Sequence, residues 1–210
     1  MSASVPDGDL RSVLEDARRF GFLGPGPVEG HIAHARAMAA ALGAHSSVPG
    51  SFADLGSGGG VPALVLLGLW VESSAVLIEA GRRRAGFLLE CLDRLGWADR
   101  GQVVEARAED VGRDVAYRWG FELVTARSFG SPAVTAECGA PLLAVGGTLV
   151  VSEPPSAPDR WPDAPLSQLG LGPGSSIEVD GFHFRVLPQD RLCQDRFPRR
   201  TGVPSKRPLF

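Results

Sequence analysis

The run Ser51-Phe52-Ala53-Asp54-Leu55-Gly56-Ser57-Gly58-Gly59-Gly60-Val61-Pro62 joins a short apolar segment to a helical one through a glycine turn. Glycine accepts positive φ and has no Cβ, so the backbone of such a turn can approach a ligand closely. Pro62 suits the first helical turn, where its missing N–H costs little. Asp54, two residues before Gly56, is awkward for a pyrophosphate but suits a ligand with a cationic amine, and S-adenosylmethionine is such a ligand. Two other readings stay open. The turn could be structural and bind nothing, and Gly58, Gly60 and Ala63 satisfy the G-x-G-x-x-A form of a nicotinamide dinucleotide site. Counted from Gly56, the glycine nearest the strand, the third position is Val61 and that form fails.

Ligands of open α/β sheets collect at the carboxyl ends of the strands, where strand order reverses. Residues just after predicted strands are therefore the next candidates. Glu79 lies one strand–helix–strand unit after Asp54 and could accept both ribose hydroxyls of an adenosine; its other reading is an acid at a helix N-terminus. Ala108 and Glu109 could frame an adenine through a backbone N–H and a carboxylate, although loop acids are often only solvated. Arg127, after Val124-Thr125-Ala126, would carry a guanidinium into the crevice to hold a carboxylate or phosphate bidentately, or would pair structurally with Glu79 or Glu109. Arg82, Arg83 and Arg84 form a helical first turn and are expected at the surface. His31, His34, His45 and His183 lack a metal-ligand or nucleophile–base spacing. Neither a G-x-S-x-G elbow nor a G-x-x-x-x-G-K-[ST] loop occurs.

The elements that must position these groups follow from periodicity. Leu10, Val13, Leu14 and Ala17, then Ile32, Ala35, Ala39 and Leu42, fall at helical spacing and predict helices over 9–20 and 28–43. From residue 51 the pattern predicts strand 52–55, helix 61–70, strand 75–79, helix 82–95, strand 102–105, a loop, strand 121–126, helix 131–144 and strand 147–152. Right-handed crossovers turn that succession into a parallel sheet covered on both faces. A proline-rich loop with a short helix near 166–169 follows, then strands 175–179 and 182–188 joined by Asp180-Gly181, a favourable hairpin turn. The fold class is therefore α/β, a doubly wound, Rossmann-like sheet of the class I methyltransferase kind with a final antiparallel hairpin. Its expected parts are an N-terminal helical segment over 1–48, a cofactor-binding domain over 49–190 and a basic tail over 191–210.

With 210 residues, 44% hydrophobic and 21% charged, the chain suits one soluble domain with a substantial core. No apolar run reaches membrane length, and Asp7, Asp9, Glu15 and Asp16 replace a signal-peptide core, which places the protein in the cytoplasm, away from membranes. Cys91, Cys138 and Cys193 are odd in number and widely spaced, so buried thiols are expected in place of disulfides or a zinc site. The net charge is −3, which argues against a uniformly basic nucleic-acid binder, yet residues 191–210 carry Arg191, Arg196, Arg199, Arg200, Lys206 and Arg207 against Asp195 alone. Polyanion contact should concentrate there.

Four stretches together resemble one family: Asp54 to Pro62; Arg107-Ala108-Glu109-Asp110; Val124-Thr125-Ala126-Arg127; and Arg196-Phe197-Pro198-Arg199-Arg200-Thr201-Gly202-Val203-Pro204-Ser205-Lys206-Arg207-Pro208-Leu209. They are similar to ribosomal RNA small subunit methyltransferase G, long labelled glucose-inhibited division protein B. The first stretch is generic to methyltransferases, whereas the tail, with Pro-Arg-Arg and Pro-x-Lys-x-Pro-Leu, is more specific. The resemblance implies methyl transfer from S-adenosylmethionine to N7 of a guanine in the decoding-region loop of 16S ribosomal RNA, free or in a small-subunit precursor; a monomer is expected. It implies cofactor contacts at Gly56, Val61, Ala108 and Glu109, and a catalytic Arg127 near the methionine end or the target base. Asp54, Gly58, Gly60 and Glu79 complete the expected cofactor set, and Arg196, Arg199, Arg200, Lys206 and Arg207 the expected RNA contacts. No metal is implied.

Three departures mark a divergent member. The family's Trp-Asn-Lys-x-x-Asn-Leu-Thr-like stretch is absent before residue 50, His34-Ala35 stands where the family has Asp-Ser, and Val151-Ser152-Glu153-Pro154-Pro155 replaces Leu-Lys-Gly. The acceptor therefore has alternatives: a small molecule or a protein, or none, in a cofactor- or RNA-binding paralogue without turnover.

Overall fold

The computed structural model describes residues 7–43, 47–155 and 159–210, so His45 lies outside the described residues. Two helices, α1 (Asp7–Arg19) and α2 (Val28–Gly43), precede β1 (Ser51–Leu55), α3 (Ala63–Leu69), β2 (Ser74–Ile78), α4 (Arg82–Arg94) and β3 (Gly101–Val104). Then come α5 (Ala108–Val111), β4 (Phe121–Ala126), α6 (Pro132–Gly139), β5 (Leu143–Glu153), α7 (Asp163–Gln168), β6 (Ser175–Val179), β7 (Phe182–Pro188) and α8 (Val203–Lys206). The seven strands form one sheet in the order β3-β2-β1-β4-β5-β7-β6. β1 to β5 pair in parallel, and β7 runs antiparallel to both β5 and β6. This is the doubly wound sheet of class I methyltransferases, and its order reverses between β1 and β4.

Each central strand feeds both faces, as a period of two requires when helices cover a sheet on both sides. Phe52, Leu77, Leu123 and Val150 point into the core under α1–α4, while Ala53, Ile78, Val124 and Val151 point into the core under α5–α7 and the tail. All three cysteines are buried and free, and burial pushes the thiols of Cys91 and Cys193 up to about 12, which leaves them inert as nucleophiles at neutral pH.

Several predicted boundaries shift for local reasons. The helix expected over 131–144 ends at Gly139, because Pro141 lacks an N–H to continue it; a 3₁₀ turn, Ala140–Leu142, leads into β5 at Leu143. The ladder with β4 then slips, pairing Phe121 with Leu143 but Leu123 with Thr148, so only the later part of β5 reads as a regular strand. The loop expected before β4 contains α5, and the tail contains α8. At the final hairpin, Asp180 and Gly181 both take positive φ, 50° and 79°, the primed turn that Asp-Gly favours. In α2 the buried stripe is Val28, His31, Ala35, Met38 and Leu42, with Ile32 and Ala39 only partly buried. A histidine therefore sits on the core face of that helix.

Candidate functional site

Gly56 leaves β1 with φ +67°, and a Cβ there would come within 2.9 Å of the Phe129 ring, so both backbone and space exclude a side chain. The loop beyond it is tied to β2: Ser57 N–H donates to the carbonyl of Ile78 at 3.0 Å, and Gly58 N–H donates to Oε2 of Glu79 at 3.0 Å. Glu79 Oε1 accepts from Gly81 N–H at 2.7 Å and from Arg84 Nη2 at 2.8 Å. Burial pushes the Glu79 carboxyl up, but the hydrogen bonds from Arg84, Gly81 and Gly58 outweigh it and the net shift is downward, so the group is ionised.

Above the loop lies a cavity of about 410 Å³ at the β1–β4 reversal. Of the residues expected to contact a cofactor, Gly56, Gly58, Val61, Glu79, Ala108, Glu109 and Arg127 line it. Asp54 and Gly60 do not. Asp54 is a buried residue beneath the loop, opposite Thr125 in register, and its Oδ1 accepts from Thr125 Oγ1 at 2.6 Å. Burial raises its carboxyl to about 6 against the opposing hydrogen bonds and the nearby Arg127 cation, and its Oδ2 has no hydrogen-bond partner among the described residues. Gly60 turns toward α3, where a Cβ would meet Leu64. The cavity also has walls that sequence reasoning did not supply: Phe22, Leu23 and Gly24 from the α1–α2 linker, and Ser128 and Phe129 after β4.

Arg127 forms neither of the carboxylate pairs expected as its structural alternative. Its Nη2 donates to Nδ1 of His31 at 2.5 Å, and its Nη1 has no hydrogen-bond partner among the described residues. A guanidinium has no acceptor, so Nδ1 of His31 is unprotonated and the ring hydrogen sits on Nε2, which donates to the carbonyl of Gly24 at 3.2 Å. Burial and the Arg127 charge lower the His31 pKa, in keeping with a neutral ring. One turn on, His34 Nε2 bonds Ser152 Oγ at 2.7 Å, and burial, with Arg127 and His31 adding to it, lowers its pKa to about 4. The signal for His31 was the buried stripe of α2, beside which the part-buried His34 lies.

A family model described as rRNA small subunit methyltransferase G matches residues 29–159. The chain belongs to that family. Relatives named ribosomal RNA small subunit methyltransferase G include one from Rubrobacter xylanophilus, 35% identical over 171 residues, which is 76% of this chain and 65% of that protein. Another, from Symbiobacterium thermophilum, is 35% identical over 196 residues, 87% of this chain and 80% of that protein. The chain thus spans just under two thirds of the length of the Rubrobacter relative. Among solved structures, cofactor-bound Rv0187 from MTB shares the fold, with a TM-score of 0.62 at 18% identity over 89% of this chain and 91% of that one.

The tail that most specifically marks the family resemblance is docked on the domain. Glu137, fully buried on α6, accepts from Arg199 through N–H, Nε and Nη2 at 2.9, 2.8 and 2.6 Å. Arg118 donates to the carbonyls of Phe197, Cys193 and Gln194, and Gly202 N–H donates to Oε1 of Glu109 at 3.0 Å. Arg199 is therefore committed to a buried carboxylate and is not a free RNA contact, which corrects the expectation for that position. Arg196, Arg200, Lys206 and Arg207 are exposed. Among the described residues no cluster of His, Cys, Asp and Glu could hold a metal, and no helix is long and apolar enough to cross a membrane.

Proposed function

We propose that this chain transfers a methyl group from S-adenosylmethionine to N7 of a guanine in 16S ribosomal RNA. One observation carries the reading: a nucleoside-sized cavity at the strand-order reversal brings together the glycine loop, the acid ending the next strand, the Ala108–Glu109 turn and Arg127. Family membership supplies the reaction class and the RNA acceptor.

The residues present fit that donor. Gly56 and Gly58 let the backbone approach it, Glu79 would accept from its ribose hydroxyls, Ala108 N–H and Glu109 would frame the adenine, and Arg127 would hold the methionine carboxylate. The bound donor supplies an electrophilic methyl on a sulfonium. Guanine N7 offers a free lone pair, so the C–N bond forms as the C–S bond breaks, no proton is lost, and a neutral thioether leaves. The protein's work is then alignment and exclusion of water, with no general base required. In this reading the protein acts in the cytoplasm as a monomer, on 16S RNA or a small-subunit precursor, with Arg196, Arg200, Lys206 and Arg207 along the phosphate backbone.

A methyltransferase for a small molecule or protein is the second reading, favoured by the net charge of −3. Salt separates the two, since phosphate contacts weaken steeply as salt rises while a small neutral acceptor is nearly indifferent. Mass analysis of 16S RNA fragments from cells lacking the gene tests the leading reading. It expects one guanine to lose a methyl group; an unchanged modification pattern rejects it.

A further inference from the structure

A second cavity, of about 370 Å³, adjoins the first, and Ser128 and Phe129 line both. Its other lining residues include Pro132 and the largely buried Trp161, and Glu153, the last residue of β5, together with Arg160 supplies its charged groups. Arg160 Nη2 donates to Glu153 Oε2 at 2.9 Å, while Glu153 Oε1 accepts no hydrogen bond from the described residues. The Glu153 side chain is 13% exposed, so it is largely desolvated without being closed off. A cleft lined in part by Phe129 and Trp161 beside the donor cavity suits an unstacked base, since RNA is read on splayed bases held by stacking and by their pairing edges.

We infer that Glu153 and Arg160 select guanine and orient it, by matching its pairing edge. This rests on the proposed RNA function. Guanine presents an acceptor, O6, beside two donors, N1–H and the N2 amino group; an arginine beside a carboxylate presents the complementary order of donor then acceptor. Adenine reverses the pattern and would set its N1 lone pair against the carboxylate. Binding the pairing edge to β5 turns the five-membered ring, with N7, back toward Ser128 and Phe129, the residues shared with the donor cavity. The ion pair also leaves the cleft without net charge, so the acid does not repel an RNA strand as an isolated carboxylate would. Arg160 is 39% exposed, so an entering base can reach its guanidinium.

The test uses the full chain, labelled donor, and unmodified 16S RNA carrying either guanine or inosine, which lacks the N2 amino group, at the methylated position. Expected are a roughly tenfold or greater loss of kcat/KM for Glu153→Gln on guanine RNA with donor affinity unchanged, and a similar loss for the wild type on inosine RNA. The two losses should not add, because both remove the same contact. Equal rates on guanine and inosine RNA by the wild type, a reading that needs no variant, overturn the inference, as does a full inosine penalty persisting in Glu153→Gln. If the wild type transfers no label to either RNA, the RNA function itself fails, and this inference with it.

Discussion

His31 is the link between Arg127 and the α1–α2 linker: one ring nitrogen accepts from the guanidinium and the other donates to Gly24, whose neighbours Phe22 and Leu23 wall the cavity. Replacing it frees the linker and leaves a half-buried guanidinium without the partner it has now. His31→Ala should weaken donor binding about tenfold by calorimetry, the scale of one charge-assisted hydrogen bond. Unchanged affinity would separate the linker from the site.

His34 gives the protein an acid sensitivity of known sign. Its folded pKa, about 4, lies below the ordinary 6.5, so the unfolded chain binds more protons between those values and stability falls as pH drops from 6.5 toward 4. Asp54, raised to about 6 by burial, acts the other way over its own range, so the comparison must be with a variant. His34→Gln keeps a hydrogen bond to Ser152 and does not titrate. Urea denaturation at pH 7 and pH 5 should show the wild type losing about 1–2 kcal/mol more than this variant; equal losses contradict the assignment.

The two neighbouring tail arginines should part company. Arg199→Ala leaves Glu137 buried and unpaired, which should cost about 2–3 kcal/mol of stability, somewhat under the full buried-pair value because Arg199 is 27% exposed. Arg200→Ala should leave stability within about 0.5 kcal/mol and weaken RNA association, with a shallower dependence on salt. Denaturation and RNA titration on both variants check this; a stable Arg199→Ala protein would undo the docked tail.

Gly56→Val must place a β-branched residue at positive φ against Phe129. Donor binding by calorimetry should disappear. A variant that binds normally would move the donor elsewhere.

Much of the site was legible because its backbone geometry is written locally. The glycine run, the change from a period of two to helical spacing, and an acid one unit later place Gly56 and Glu79 at adjacent strand ends whatever the rest of the chain does. What depends on docking was not legible. Phe22 and Leu23 line the cavity only because α2 packs across the sheet, and His31 reaches Arg127 only because a helical stripe turns it inward. Asp54 has the same sequence position whether it faces a ligand or lies beneath the loop; its pairing with Thr125 across β1 and β4 decides for the latter. Arg199 and Arg200 are identical in type and adjacent, and only the buried Glu137 on α6 distinguishes them.

The central claim is tested most directly by incubating the purified chain with labelled S-adenosylmethionine and unmodified 16S RNA, then mapping the label. The account predicts label on N7 of one guanine, lost in Gly56→Val. Label on protein or small molecules alone, or none on RNA with the donor demonstrably bound, would contradict it.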